Sequence, residues 1–207
     1  MRSRVLTQRS YREGLAELVS RDPDIACIVE RIGVPPWTVR SAAFSSLLYI
    51  ILEQQVSLAS AKATYEKLTA RLPSLSPQDV LAVPDALYRE LGVSRQKTRY
   101  LKLAAQAVLD DSLPLGRLDK MSDDQARSLM TQVKGIGDWT ADVFLMSALK
   151  RADLWPIGDL ALVKSIIDVK GLDQQPDKTR LEALGEPYRP FRSIATRVYW
   201  HHYLNPE

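Results

Sequence analysis

The stretch Lys134-Gly135-Ile136-Gly137-Asp138-Trp139-Thr140-Ala141-Asp142, KGIGDWTAD, sets two glycines around one isoleucine and then opens a helix with a tryptophan. Apolar spacing, with Ser122 and Gln125 in the pattern of a capping box, predicts one helix from Ser122 to near Val133 and a second from Asp138 to Leu149. Glycine supplies the left-handed backbone angles and the close backbone approach that so tight a connection needs. With no side chains on the turn, its N–H groups and the N-terminus of the second helix can face an anion such as phosphate, where the helix dipole favours negative charge. A Gly-x-Gly can also be a plain turn between helices, and nine residues alone do not separate the two readings.

Outward from this hairpin the chain keeps the same period. Apolar residues recur at spacings of three and four, and runs of alternating β-branched residues are absent, so the expected fold class is all-α. Leu47, Leu48, Ile51 and Leu52 read as one buried face. Leu101, Leu103, Ala104, Val108 and Leu109 read as a second, and Leu160, Leu162, Val163, Ile166 and Ile167 as a third. Ser76-Pro77 and Ser94 are further cap signals. Proline and glycine breaks from Pro35-Pro36 to Pro187–Pro190 divide the chain into about ten helices. With no repeat and no long linker, the expectation is one domain over 1–207, built as two helical lobes flanking a cleft.

Composition narrows the classes. A chain of 207 residues that is 45% hydrophobic can bury a sizeable core, and a net charge of +3 permits an acidic partner. One cysteine, Cys27, excludes an intramolecular disulfide, a cysteine-ligated cluster and a zinc finger. The N-terminus has no secretory apolar stretch, and the run from Ala42 to Leu52 is too short for a bilayer, so a cytoplasmic, unsecreted protein without a membrane partner is expected.

The second informative segment is Leu154-Trp155-Pro156-Ile157-Gly158-Asp159-Leu160-Ala161-Leu162. Asp159 follows Gly137 by 22 residues, enough for one helix, a turn and a return, which predicts a carboxylate beside the phosphate-binding turn. The simpler reading makes Asp159 the N-cap of a helix from Leu160 to Val169, and one residue can serve both roles. On these residues the chain resembles the helix–hairpin–helix DNA glycosylase superfamily, whose signature is a Gly-hydrophobic-Gly hairpin followed by a Pro/Gly-Asp segment. GIGDWTA, the Asp159 segment, Arg189-Pro190-Phe191-Arg192-Ser193-Ile194-Ala195 and Glu53-Gln54-Gln55-Val56-Ser57 most resemble its 3-methyladenine DNA glycosylase II branch. The four motifs stand in the family's order over residues 35 to 204. The first 35 residues read as helical, without the N-terminal β-containing domain of some longer relatives.

The resemblance implies a glycosylase that flips an alkylated base out of double-stranded DNA and hydrolyses its glycosidic bond. An alkylated purine is already cationic, so one carboxylate, Asp159, suffices to stabilise the developing sugar cation or to orient water. Strand-cutting relatives carry a lysine where this chain has Trp139, so the resemblance implies a monofunctional enzyme with water as nucleophile. Trp139 and Trp200 match base-pocket positions where an indole stacks on an electron-poor base; each also reads as an ordinary core aromatic. Gln55 matches the wedge inserted into the gap, against a bland reading as a helix-end glutamine. Gln54, Ser57, Gly135, Ile136 and Gly137 match DNA-binding positions, and the carbonyls of Thr131, Val133 and Ile136 match a site for Na+ or K+. No cofactor is required, and a monomer is expected. Val143 and Leu160 depart from the family, whose members carry pocket tyrosines there. Arg95, Lys97, Arg99 and Lys102 could track a phosphate backbone or form a solvated helix face, and the adjacent His201 and His202 point apart, which disfavours a metal site. Specificity for a deaminated or oxidised base, and a non-catalytic DNA-binding module, are the competing readings.

Overall fold

The structure, a computed structural model, describes residues 4–206. Among the described residues the chain forms twelve α-helices and two 3-10 turns, and the only β-type pairing is an isolated antiparallel bridge between Val5 and Arg151. Two helix boundaries fall outside the breaks read from the sequence. At the first, Asp22 ends one helix and caps the next, with Pro23 at N1, so no residue is spent on a loop. At the second, Gln55 takes the left-handed conformation, φ 55°, that glycine usually supplies. The predicted caps at Ser76, Ser94 and Ser122 all form.

The chain divides into two compact units. The first comprises residues 4–39 and 145–206. It holds α1 (Gln8–Arg21), α2 (Pro23–Ile32), α10 (Leu160–Val169), α11 (Lys178–Gly185) and α12 (Arg192–Leu204). Helix α12 is its centre, packed against α1, α2 and α10. At Gly14 a Cβ would sit 2.7 Å from Ile194 Cδ1 and 2.9 Å from the Phe191 ring, so the close approach of α1 to α12 depends on that glycine. Trp155, Tyr188 and Tyr199 pack tilted or edge-on at centroid distances of 5.6–6.0 Å, and the two tyrosine hydroxyls hydrogen-bond at 2.6 Å.

The second unit, Arg40–Phe144, holds α3 (Phe44–Glu53), α4 (Leu58–Arg71), α5 (Pro77–Ala82), α6 (Asp85–Glu90), α7 (Arg95–Leu109), α8 (Asp123–Thr131) and most of α9 (Asp138–Ser147). Helix α3 packs on α4 and α7, and Ile50 is buried along with Leu47, Leu48, Ile51 and Leu52. It is therefore a core helix covered all round rather than an amphipathic one with a single face. Two predicted faces need correction. On α7 the buried positions are Thr98, Leu101, Ala104, Ala105 and Ala107, while Leu103 and Leu109 face solvent; small residues let α5 approach α7 closely. On α10 Leu162, Val163 and Ile166 are buried, but Leu160 is 65% exposed at the helix's first position.

Candidate active site and nucleic-acid interface

The carboxylate of Asp159 is placed by its own backbone. Pro156 O accepts from Asp159 N at 2.8 Å, which closes the turn before α10 and leaves Asp159 at the N-cap with extended angles. Asp159 Oδ1 accepts from Leu162 N at 2.8 Å and from the Trp200 indole Nε1 at 2.9 Å. The cap and the functional residue are thus the same group, buried at 7% exposure and aimed by two N–H donors. Trp200 is half-buried on α12, so the two residues that the sequence singled out separately in this unit meet.

What holds this turn was not legible as a site. Asp153 accepts from Arg192 through Oδ1 at 2.8 Å and Oδ2 at 3.0 Å, and from Arg189 at 2.7 Å. Ser193 Oγ accepts from Leu154 N, Ala152 O accepts from Ser193 N, and Leu181 O accepts from Trp155 Nε1. The Arg-Pro-Phe-Arg-Ser-Ile-Ala motif therefore clamps the segment that carries Asp159. Upstream, Leu6 N donates to Lys150 O and Ala152 N to Arg4 O, so the N-terminal segment braces the same stretch. Arg197 lies at 6% exposure, with its guanidinium over the Trp37 ring at 5.5 Å and donating to Thr38 O and Met146 O; burial pushes its pKa down.

The hairpin forms in the second unit. Ser122 and Gln125 exchange backbone and side-chain hydrogen bonds at 3.2 and 3.0 Å, starting α8 with the predicted capping box. Arg127 Nε donates to the buried Asp142 at 2.7 Å, tying α8 to α9. Burial acts to lower the Arg127 pKa, the carboxylates of Asp142, Asp124 and Asp138 together more than offset it, and the net direction is up. Ile136 is buried at 3% exposure and its N–H donates to Val133 O, so the residue between the glycines plugs the turn from inside. Thr131 ends α8 and Val133 lies in the turn.

The two glycines differ. Gly135 has φ +99°, and a Cβ there would lie 2.6 Å from Tyr100 Cβ and closer to its ring. Gly137 is not left-handed, and a Cβ added to it meets nothing within 4 Å. Of the two glycines, Gly135 alone supplies the expected left-handed angle. Gly137, exposed, leaves the position before α9 without a side chain, and its carbonyl accepts from Ala141 N at 3.0 Å. Trp139, half-buried, is the second residue of α9.

Around the Gln55 turn the geometry sorts the remaining candidates. Gln55 is exposed, flanked by Val56 at 44% and Leu58 at 55% exposure. Ser57 caps α4 by accepting from Ser60 N at 3.2 Å. Gln54, expected to touch DNA, turns inward: its amide Nε2 donates to Gly135 O and to Thr140 Oγ1, both at 2.9 Å. Of the four basic residues on α7, Lys97 donates to Leu52 O at 2.6 Å and burial lowers its pKa, and Lys102 pairs with Asp85. Arg95 and Arg99 are exposed. No cluster of three His, Cys, Asp or Glu suited to a metal occurs among the described residues, and none of the helices described is long and apolar enough to cross a membrane.

The fold is shared with known proteins. The alkylbase DNA glycosidase-like protein mag2 of Schizosaccharomyces pombe is 24% identical over 199 residues, covering 92% of each chain. The S. pombe 3-methyladenine DNA glycosylase Mag1, solved in complex with abasic DNA, superposes with a TM-score of 0.84 at 22% identity, covering 91% of this chain and 95% of that one. The DNA-3-methyladenine glycosidase of Bacillus halodurans gives a TM-score of 0.74 at 26% identity, covering 98% and 93%. Residues 48–190, which contain the hairpin, the Asp159 turn and the Gln55 turn, match the HhH-GPD superfamily, and the chain belongs to this family of base excision DNA repair proteins.

Proposed function

We propose that the protein is a monofunctional DNA glycosylase that binds double-stranded DNA, flips out an alkylated purine of the 3-methyladenine or 7-methylguanine type and hydrolyses its glycosidic bond. The observation that carries this reading is the Asp159 carboxylate held by Leu162 N and Trp200 Nε1 in a family of base excision repair proteins. A carboxylate already aimed needs no reorganisation as positive charge develops on the sugar, and such preorganisation is the largest contribution to many enzymatic rates. The leaving purine carries its own positive charge, so no strong general acid is called for. Trp139 offers no amine at the position of the strand-cutting lysine, which leaves water as the nucleophile and an intact abasic strand as product. Trp139 and Trp200 supply indole faces suited to a cationic base.

Backbone recognition falls to the hairpin. The glycines keep the turn bare, so main-chain N–H groups can approach a phosphate, and Gln55 projects from its strained turn as the wedge. The carbonyls of Thr131, Val133 and Ile136 fit a monovalent cation: Thr131 stands where a helix runs out of intrahelical donors, and the Val133 carbonyl, though it accepts from Ile136 N, keeps a second lone pair. Such an ion would add positive charge at the turn.

The test is direct. The protein is incubated with methylated duplex DNA and with duplexes containing uracil or 8-oxoguanine, and free bases are identified. Release of methylated purines with an unbroken abasic strand is expected. Release confined to uracil or 8-oxoguanine would reassign the specificity, and no release from any duplex would leave a DNA-binding module. A borohydride-trapped adduct would overturn the monofunctional assignment.

A further inference from the structure

Resting on the glycosylase reading, we propose that Gln54 is a positioning residue which locks the wedge Gln55 in register with the hairpin that holds the DNA backbone. One amide nitrogen makes the connection. Gln54 Nε2 donates both to the carbonyl of Gly135, inside the turn, and to the hydroxyl of Thr140, 2% exposed in the first turn of α9 next to Trp139. Gln54 is itself the C-cap of α3, and the next residue is Gln55 at φ 55°. A non-glycine residue in that conformation costs about 1 kcal/mol or more and persists only when its surroundings hold it.

The surroundings do so from two directions. Gln54 anchors the residue before Gln55 to the hairpin, and Lys97 Nζ, donating to Leu52 O at 2.6 Å, fixes the last turn of α3. The far end of this link is rigid as well, because Gly135 is pressed against Tyr100 and α9 is tied to α8 through Arg127 and Asp142. When phosphate is seated on the hairpin, the wedge therefore stands at a fixed offset from it. Gln55 makes no side-chain hydrogen bond of its own to the described residues, which leaves its amide available to an orphaned base.

Two substrates and two variants test this. A lesion in duplex DNA must be unpaired and its gap filled, whereas the same lesion in a single strand needs no wedge. Gln54→Ala is expected to cut single-turnover release of 7-methylguanine from duplex by roughly a hundredfold, the order associated with misplacement by about an ångström. Release from the single strand should stay near wild type. Equal losses on both substrates, or an unchanged duplex rate, would overturn the positioning role. Should Gln54→Ala melt prematurely, Gln54→Glu decides: ionised, it turns negative oxygens on the Gly135 carbonyl, and protonated it regains one donor. Its duplex rate relative to wild type should then rise as pH falls towards about 4–5, the ordinary range of a glutamate. A ratio that does not change with pH refutes the proposal. Fluorescence of 2-aminopurine placed opposite the lesion reports the wedge without any chemistry. If the wild-type protein brightens it yet releases no base, the glycosylase reading fails, and the positioning role stands or falls on whether Gln54→Ala loses the brightening.

Discussion

Helices α9 and α10 each start after a short turn that contains glycine, and they are finished in opposite ways. Helix α10 follows Pro156-Ile157-Gly158, and one of its free first-turn amides, Leu162 N, is met by its own Asp159. Helix α9 follows Gly135-Ile136-Gly137, where the residue before the helix has no side chain at all. The same backbone device thus yields a terminus whose cap position is a buried acid and one whose cap position has no side chain, with Asp138 as the first helical residue. Helix N-termini attract anions, so what differs is whether the cap position itself is filled by a carboxylate or left open to an approaching anion.

The comparison breaks most sharply at Asp159. Asp159→Asn keeps an acceptor for Leu162 N, so the fold should survive, while base release should fall by about a hundredfold or more because the charge is gone. Single-turnover assays beside circular dichroism measure both; near-normal release would reduce Asp159 to a cap. Next in size is a difference between the hairpin glycines. Gly135→Ala forces a Cβ into Tyr100 at a left-handed φ and should cost about 2–4 kcal/mol, whereas Gly137→Ala should fall within about 0.5 kcal/mol of wild type in thermal melts. Equal costs would mean that the bare terminus is a folding requirement. Gly137→Val should instead weaken binding to damaged and undamaged duplex alike, by about tenfold, the worth of one charge-assisted hydrogen bond.

Trp200→Phe sharpens the other terminus. It keeps an aromatic ring at position 200 but removes the indole donor to Asp159, and the rate should drop roughly tenfold. A further expected effect, read in pH rather than in a variant, is common to both units. Tyr11 donates to Pro35 O in one and Tyr88 to Val80 O in the other, and burial pushes each hydroxyl up to about 12. Between pH 10 and about 12 these two hydroxyls keep protons in the folded chain that they release in the unfolded one, so their contribution to stability should be lost across that window. A phenolate absorbance titration that shows these two ionising near 10 would contradict the burial argument.

The parts that could be read from sequence are those in which one residue type answers one local need. Ser122 with Gln125, Ser94 and Ser76 predicted their caps because capping is settled within four residues. Asp159 stood out because its spacing from the hairpin and its place before an apolar helix agreed. Side-chain direction was not local. Lys97 and Lys102 look like neighbours of Arg95 and Arg99 on one basic helix, yet each finds a partner on another helix. Gln54 looked like part of a DNA-contacting run, and only the fold brings Gly135, 81 residues away, under its amide. Leu160 had the apolar character of a core residue but fell at the first position of its helix, where its side chain points outward. Gly137 was misread for the converse reason: a glycine in a sequence does not announce which of its freedoms is used.

The pairing of Asp153 with Arg192 and Arg189 sets how the protein should respond to ionic strength. Contacts to phosphate weaken steeply as salt displaces them, because each releases condensed counterions. A two-point carboxylate–guanidinium pair at 2.8 and 3.0 Å, with Arg192 and Asp153 only 16% and 21% exposed, is screened far less. Added salt should therefore empty the protein of DNA without loosening the segment that carries Asp159, so that affinity falls while the turnover of each remaining complex holds.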